Sequence, residues 1–145
     1  MKKLAGLILL LTTTGTYASC ELAISAPDLL QYDLTEMSVS RSCGTVTLTF
    51  NHTGRLPKNV MGHNWVLSAP EFLNQVSQDG MRAGPNNSYV MPGDQRVIAF
   101  TEVIGGGEST SIEFSVADLT EGDYAYYCTF PGHWAVMKGI LKVMP

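Results

Sequence analysis

The residues best suited to chemistry lie close together near the C-terminal end of the chain. Cys128, His133 and Met137 offer a thiol, an imidazole and a thioether within ten residues, and a Pro-Gly pair lies between the first two. A second imidazole, His63, lies far upstream at the start of a predicted strand. Thiolate, imidazole and thioether groups are soft donors for transition-metal ions. The pattern predicts a metal site in which one loop supplies three ligands and a distant strand supplies the fourth.

The donor types also discriminate between metals. A thiolate with two imidazoles would satisfy zinc. The thioether favours copper, because two His and one Cys in a plane with a weak axial Met is the arrangement of blue-copper electron-transfer sites. We therefore predict one copper ion that alternates between Cu(I) and Cu(II).

The first eighteen residues are typical of a secretory signal peptide. Two lysines precede an apolar run over residues 4–11, and small residues occupy the −3 and −1 positions of a cleavage site after Ala18. The run is too short to span a bilayer, so we expect no membrane span. Residues 1–18 would be removed on export to the periplasm, leaving residues 19–145 as a single domain. Cys20 could alternatively carry a lipid anchor, although Tyr17 suits that motif poorly.

Without that segment the chain has 127 residues, with seven Lys and Arg against thirteen Asp and Glu, a formal charge of −6. So acidic a chain lacks the basic surface that nucleic acid requires, and we expect no nucleic-acid partner. The 45% hydrophobic content of the full sequence and the lack of like-charge runs indicate a folded domain.

Three cysteines in an exported chain leave one sulfur unpaired. Cys20 and Cys43 lie near the start of the fold and on the approach to a strand, so they are the natural pair. A bridge between them would stabilise the fold by roughly 3 kcal/mol. Cys128 is left over. An unpaired cysteine is ordinarily a buried inert thiol, but the imidazole and thioether beside Cys128 favour a metal ligand.

Short alternating segments predict the strands that must position these ligands. The clearest are residues 45–50, 111–116, 124–128 and 138–143, with further candidates at residues 21–25, 37–40, 65–68 and 96–100. Glycine- and proline-containing turns separate them. Many short strands with regular turns predict an antiparallel sandwich or barrel.

One segment departs from the strand pattern. Phe72, Leu73 and Val76 recur at helical spacing within residues 70–81. Ser68 could cap the start of a helix and Gly80 could end it. We expect a short helical flap between strands.

Two segments resemble the copper segments of the azurins, small bacterial blue copper proteins of the cupredoxin family. They are residues 56–68, LPKNVMGHNWVLS, and residues 128–133, CTFPGH. The four residues between Cys128 and His133 and the three between His133 and Met137 are azurin-like, whereas plastocyanins have a shorter first gap. The resemblance covers nearly all of residues 19–145, and Cys20 and Cys43 fall where azurins carry their one disulfide. It implies an all-β, eight-stranded Greek-key sandwich or barrel with a helical flap.

The resemblance implies a role for each residue around the metal. His63, Cys128 and His133 would be strong equatorial ligands. Met137 would be a long axial ligand, and the backbone carbonyl of Gly62 a weak one on the opposite side.

Neighbouring residues would hold these ligands in place. Asn64 would join the strand of His63 to the loop of Cys128 by side-chain hydrogen bonds. The backbone N–H of Phe130 would donate to the sulfur and so raise the reduction potential. Trp65 would fill the core, and His52 would be structural, with no part in binding copper.

Two positions depart from the azurin pattern. Phe100 stands where many azurins have a surface histidine, and Trp134 stands where they usually have a small residue. An exposed Trp134 would enlarge an apolar face around the edge of His133, where an electron would leave and a partner would dock. The predicted face comprises Leu30, Leu56, Val60, Met61, Met81, Phe130, Pro131, Trp134 and Ala135.

Three functions are compatible with such a site. An electron carrier would dock transiently with redox proteins such as c-type cytochromes or copper or haem reductases and oxidases. A nitrite-reductase-like enzyme would need a second, open copper site, and only His52 remains to build one. A copper-handling protein would be expected to have clustered methionines or paired cysteines, whereas the seven methionines are scattered. We expect an electron carrier and no enzyme, with copper handling as the alternative.

Overall fold

The structure is a computed structural model that describes residues 20–145, so the predicted signal peptide lies outside the described residues. Every predicted strand is present to within two residues, because alternating apolar side chains mark the buried face of each strand. The strands of the described part are β1 (Glu21–Ala26), β2 (Glu36–Ser40), β3 (Thr45–His52), β4 (Val66–Ser68), β5 (Val97–Phe100), β6 (Ser109–Ser115), β7 (Gly122–Tyr127) and β8 (Lys138–Met144).

The strands form two sheets that enclose a core. β3 is the middle strand of the smaller sheet, in the order β1-β3-β6, and its Val46, Leu48 and Phe50 are fully buried against the larger sheet. The larger sheet has the order β2-β8-β7-β4-β5. Trp65 fills the core as predicted, stacked on Tyr126. The architecture is the predicted eight-stranded cupredoxin-like sandwich with a helical flap, and it is not closed into a barrel.

The expectation of purely antiparallel pairing is wrong at two places. β1 runs parallel to β3, and β2 runs parallel to β8, while the remaining neighbours are antiparallel. An alternating pattern tells which face of a strand is buried, but carries no information about the direction of its partner.

Two α-helices, α1 (Lys58–Met61) and α2 (Leu73–Ala83), occur in the described residues. A 3-10 turn over Pro70–Phe72 leads directly into α2, so the helical flap begins at residue 70 as predicted, but the predicted cap and stop residues are wrong. Ser68 belongs to β4 and hydrogen-bonds the carbonyl of Ala69 and the hydroxyl of Tyr127, so it caps nothing. α2 continues through Gly80 to Ala83 and is capped by Gly84, whose φ of 75° suits glycine. Gly80 is a packing position, because a Cβ there would clash with the carbonyl of Tyr89.

The disulfide and the unpaired cysteine are arranged as predicted. Cys20 and Cys43 are bonded, and Cys128 is free and buried. The bridge joins the start of β1 to the start of β3, whereas both strands end near His63. Within residues 20–145, no helix has the length and apolar character needed to cross a bilayer.

Candidate metal centre

Three side chains that the sequence places far apart converge at one end of the sandwich. The Sγ atom of Cys128 lies 3.9 Å from Nδ1 of His63 and 3.6 Å from Nδ1 of His133, and the two nitrogens are 3.2 Å apart. Atoms bonded to one ion at about 2.0 Å for nitrogen and about 2.3 Å for sulfur lie roughly 3 to 4 Å from each other. The triangle therefore has the dimensions of a metal-ligand set.

Burial determines the protonation states of these donors. It lowers the pKa values of His63 and His133 to about 4, so both imidazoles are neutral at pH 7 and each can offer a lone pair. It raises the pKa of the Cys128 thiol to about 12. A cation that binds here must therefore displace the thiol proton.

His63 is held in the tautomer that a metal ligand needs. Its Nε2 lies 3.0 Å from the carbonyl of Pro27. A carbonyl only accepts hydrogen bonds, so Nε2 carries the proton and Nδ1 presents its lone pair to Cys128. The ring of His52 stacks on that of His63 at 4.7 Å.

His52 has no donor atom to spare for a metal. Its Nε2 lies 2.8 Å from the carbonyl of Met61, and its Nδ1 accepts the N–H of Gly54 at 3.1 Å. Both ring nitrogens are therefore used, which supports the structural role that the sequence analysis gave to this residue.

Asn64 joins the two ligand-bearing segments with its side chain, as the resemblance implies. Its Oδ1 accepts the N–H of Thr129 at 2.8 Å, and its Nδ2 donates to the Thr129 hydroxyl at 2.8 Å and to the Ser88 carbonyl at 2.9 Å. Backbone N–H groups of Asn64 and Phe130 favour the thiolate and so lower the pKa of Cys128, against the larger effect of burial. The sequence analysis named Phe130 in this role and did not name the backbone of Asn64.

Met137 and Gly62, the two weaker ligands that the resemblance implies, lie beside this cluster in the chain. Met137 is fully buried in the same core as Cys128, and its backbone carbonyl accepts the N–H of Cys128, which closes the loop. Gly62 lies between the end of α1 and His63, and a Cβ there would clash with Lys58 and Val103. The roles of Met137 and Gly62 as weak metal ligands stay predictions.

Three contributors to the site were missed because they act through groups that sequence reasoning does not single out. Pro27 and Ser88 contribute backbone carbonyls, which every residue possesses. Tyr32 donates its hydroxyl to the backbone carbonyl of Asn64 at 2.6 Å. The aromatic ring of Tyr32 could have suggested a position in the core, but not the hydrogen bond to Asn64.

The predicted docking residues differ in exposure. His133 is only 5% exposed, so a small edge of the residue reaches the surface. Trp134 is half-buried and packs against an apolar cluster of residues from β4, β7 and α2. Phe100 is 44% exposed on β5. Of the other predicted face residues, Met61 and Phe130 are half-buried, and Leu30, Leu56, Val60, Met81, Pro131 and Ala135 are exposed.

A buried thiol and two neutral imidazoles, spaced so that all three can bind one ion, suit a soft transition metal. A buried methionine close by in the chain suits copper. The fold and this centre define a small copper-binding protein with a cupredoxin-like sandwich. Comparison with known sequences agrees: residues 18–144 match the family described as copper binding proteins, plastocyanin/azurin family, and the chain belongs to that family.

Individual relatives extend the comparison. The chain is 53% identical over 127 residues to azurin of Achromobacter denitrificans, covering 87% of this chain and 85% of that protein. It is 51% identical over 128 residues to azurin-1 of Alcaligenes xylosoxydans xylosoxydans, covering 88% and 99%. A solved structure of azurin iso-2 from the obligate methylotroph Methylomonas sp. strain J superimposes with a TM-score of 0.84 at 45% identity, covering 88% of this chain and 100% of that one.

Proposed function

We propose that this protein is a periplasmic one-electron carrier and not an enzyme. The observation that carries the proposal is the convergence of Cys128, His63 and His133, with His133 reaching the surface while Cys128 is fully buried. Copper bound there would supply a centre that accepts and returns one electron between Cu(II) and Cu(I).

The residues of the chain would hold the ion and limit how far its ligands move. His63, Cys128 and His133 would hold the copper ion, with Met137 and the backbone carbonyl of Gly62 as weaker ligands. Buried ligands that are hydrogen-bonded to fixed neighbours change position little between two charge states. The contacts of His63 with Pro27, and of Asn64 with Thr129, support such a rigid site.

Electrons would enter and leave at the exposed edge of His133. The exposed apolar residues of the proposed face would let a redox partner approach that edge without desolvating charges. Electron-transfer encounters use small interfaces, so this face need not be large. The proposed partners are c-type cytochromes and copper or haem reductases and oxidases, bound transiently.

The proposed location follows from the N-terminal sequence. Residues 1–18 would direct export and be cleaved, and residues 19–145 would form the mature domain. The disulfide between Cys20 and Cys43 supports an oxidising compartment.

The decisive experiment is spectroscopic. Protein loaded with one equivalent of Cu(II) should be intensely blue, bleach on reduction and recover on reoxidation, through repeated cycles without losing copper to a chelator. Cys128→Ser should remove the blue band while leaving a folded β protein, because only the charge-transfer donor is lost. Reversible bleaching combined with rapid transfer of copper to the chelator would instead favour copper handling.

A second experiment tests the docking face. Met61→Lys and Met81→Glu should slow electron self-exchange, with colour and potential nearly unchanged, because a charge placed there must be desolvated at every encounter. Ala117→Lys is the control, since Ala117 is exposed between β6 and β7 and its carbonyl accepts a hydrogen bond from Arg41, two residues before Cys43 of the disulfide. Equal slowing in all three variants would refute the proposed face.

A further inference from the structure

Two residues near the metal centre have a backbone conformation that side chains disfavour. Ser88 and Tyr89 have φ values of 53° and 54°, and they are the non-glycine residues with positive φ within residues 20–145. A bulky residue in the left-handed region is a genuine outlier. Such strain persists only where the surroundings over-determine it, and it is often associated with function.

The surroundings hold this pair from several sides. The N–H of Tyr89 donates to the carbonyl of Gly84, and the hydroxyl of Ser88 accepts the N–H of Val103 at 3.1 Å. Behind the pair, α2 packs so closely that Gly80 has no room for a Cβ against the carbonyl of Tyr89. The flap therefore supports the strained backbone directly.

The strained conformation directs two groups at the ligand loop. The carbonyl of Ser88 accepts hydrogen bonds from Nδ2 of Asn64 at 2.9 Å and from the hydroxyl of Thr129 at 3.5 Å. The ring of Tyr89 meets the ring of Phe130 edge-on at 5.3 Å, and Phe130 in turn lies 4.7 Å from the ring of His133. Consecutive residues of one segment thus contact consecutive residues of the other.

The positive φ values at both positions let the two contacts be made together. In an extended strand the carbonyls lie in the plane of the sheet and the side chains stand perpendicular to it, so the Ser88 carbonyl and the Tyr89 ring would point in different directions. In this structure both groups meet the loop, at Thr129 and at Phe130.

We propose that Ser88 and Tyr89 form a brace, a pair of positioning residues that keeps residues 128–133 closed over the buried thiol. The value of the brace to the protein rests on the proposed copper function, but its effect on the loop does not, since the brace acts on the loop whether or not metal is bound. Its strain is the cost of directing two groups at the loop.

The test measures how often the loop opens in metal-free protein. Cys128 is fully buried, so iodoacetamide reacts with it only after the loop or the whole protein opens. Val46→Ala, in the core of the other sheet, is the control for an increase in global unfolding. For every variant, the alkylation rate is compared with the unfolding equilibrium constant from denaturant titration.

Two matched pairs of variants separate the contribution of the Ser88 backbone from that of the Tyr89 ring. Ser88→Val disfavours the left-handed conformation, whereas Ser88→Gly permits it. Tyr89→Gly removes the ring and relieves the strain, whereas Tyr89→Phe keeps the ring. We expect Ser88→Val and Tyr89→Gly to raise the alkylation rate about tenfold beyond the change in their unfolding constants, and their partners to stay within about threefold of wild type.

Copper-loaded protein gives a second readout. Tyr89→Gly should shift the reduction potential or the blue band, and Tyr89→Phe should restore the wild-type value, which a purely structural role would not require. The brace is refuted if alkylation tracks global unfolding in all variants, as in Val46→Ala. Tyr89→Gly alone decides the question if Ser88→Val does not fold. A wild-type protein that fails to cycle between blue and colourless would refute the proposed function and leave the alkylation result intact.

Discussion

The thiol of Cys128 lies in a core where a thiolate without a counter-ion would be strongly disfavoured. Backbone N–H groups of Asn64 and Phe130 favour the anion, but burial outweighs them and raises the pKa to about 12. The neighbouring imidazoles of His63 and His133 are already neutral at pH 7, because their pKa values are about 4. A cation that binds must therefore displace the proton of the thiol and none from the imidazoles.

This difference between the thiol and the imidazoles predicts how many protons are released when a metal ion binds. Zn²⁺, which is redox-inert and accepts thiolate and imidazole ligands, should release about one proton per protein on binding at pH 7. The release can be measured in weakly buffered solution with a pH-stat. Cys128→Ser should release none. Release of two or more protons would mean that the imidazoles are charged before binding, contrary to their burial.

The proposed axial ligand makes a second prediction at the scale of one residue. Met137→Leu should raise the reduction potential, and Met137→Gln should lower it, because an oxygen donor favours Cu(II) over Cu(I). The blue band should remain in both variants. Voltammetry measures the potentials, and identical values in all three proteins would make Met137 a core residue only.

For single residues, the sequence predicted the side chains that could bind the metal better than the groups that hold those side chains in place. His63, Cys128 and His133 are brought together as expected, because thiol and imidazole groups are rare enough for their spacing to be informative. The contributions of Pro27 and Ser88 could not be predicted, since a carbonyl is common to every residue and only the fold determines where it points.

At the scale of secondary-structure elements, local sequence patterns predicted the features that depend on nearby residues alone. Strand positions were right to within two residues, since alternation reflects burial of one face. The cap and stop residues of the flap were wrong, because the hydroxyl of Ser68 is hydrogen-bonded to Tyr127 on a neighbouring strand and Gly80 is needed for close packing against the carbonyl of Tyr89. Both are tertiary contacts that outweigh local helix signals.

Trp134 of the ligand loop packs on the same apolar cluster as Val76 of α2, so we expect its loss to be felt in the flap. Trp134→Ser should lower the free energy of unfolding by about 1 to 2 kcal/mol, less than for a fully buried tryptophan, because the side chain is half-buried. Denaturant titration measures this loss, and hydrogen exchange should show faster opening of α2. Ala135→Ser, at an exposed neighbour, is the control.

Two outcomes would contradict this assignment of Trp134. Unchanged stability and unchanged exchange in α2 would make Trp134 a docking residue alone. A loss of several kcal/mol would make it a core residue and remove it from the proposed face.

At the scale of the whole molecule, the disulfide and the metal centre lie at opposite ends of β1 and β3. β1 has six residues, so about 20 Å of strand separates Cys20 from Pro27. Replacing Cys20 and Cys43 together by serine should lower the free energy of unfolding by about 3 kcal/mol, because the unfolded chain gains freedom. The blue band and the potential should not change. A shifted band would contradict the separation of the two ends.

The parallel pairing of β2 with β8 affects the order in which the protein can assemble during synthesis. A chain is made from its N-terminus, so β2 waits for a partner about 100 residues away along the chain. The loop that carries Cys128, His133 and Met137 is closed only when β8 pairs with β7. A polypeptide cut short before Lys138 would lack both a completed larger sheet and a closed ligand loop. Copper loading would thus report that the chain has been translated through β8 and that the larger sheet has formed.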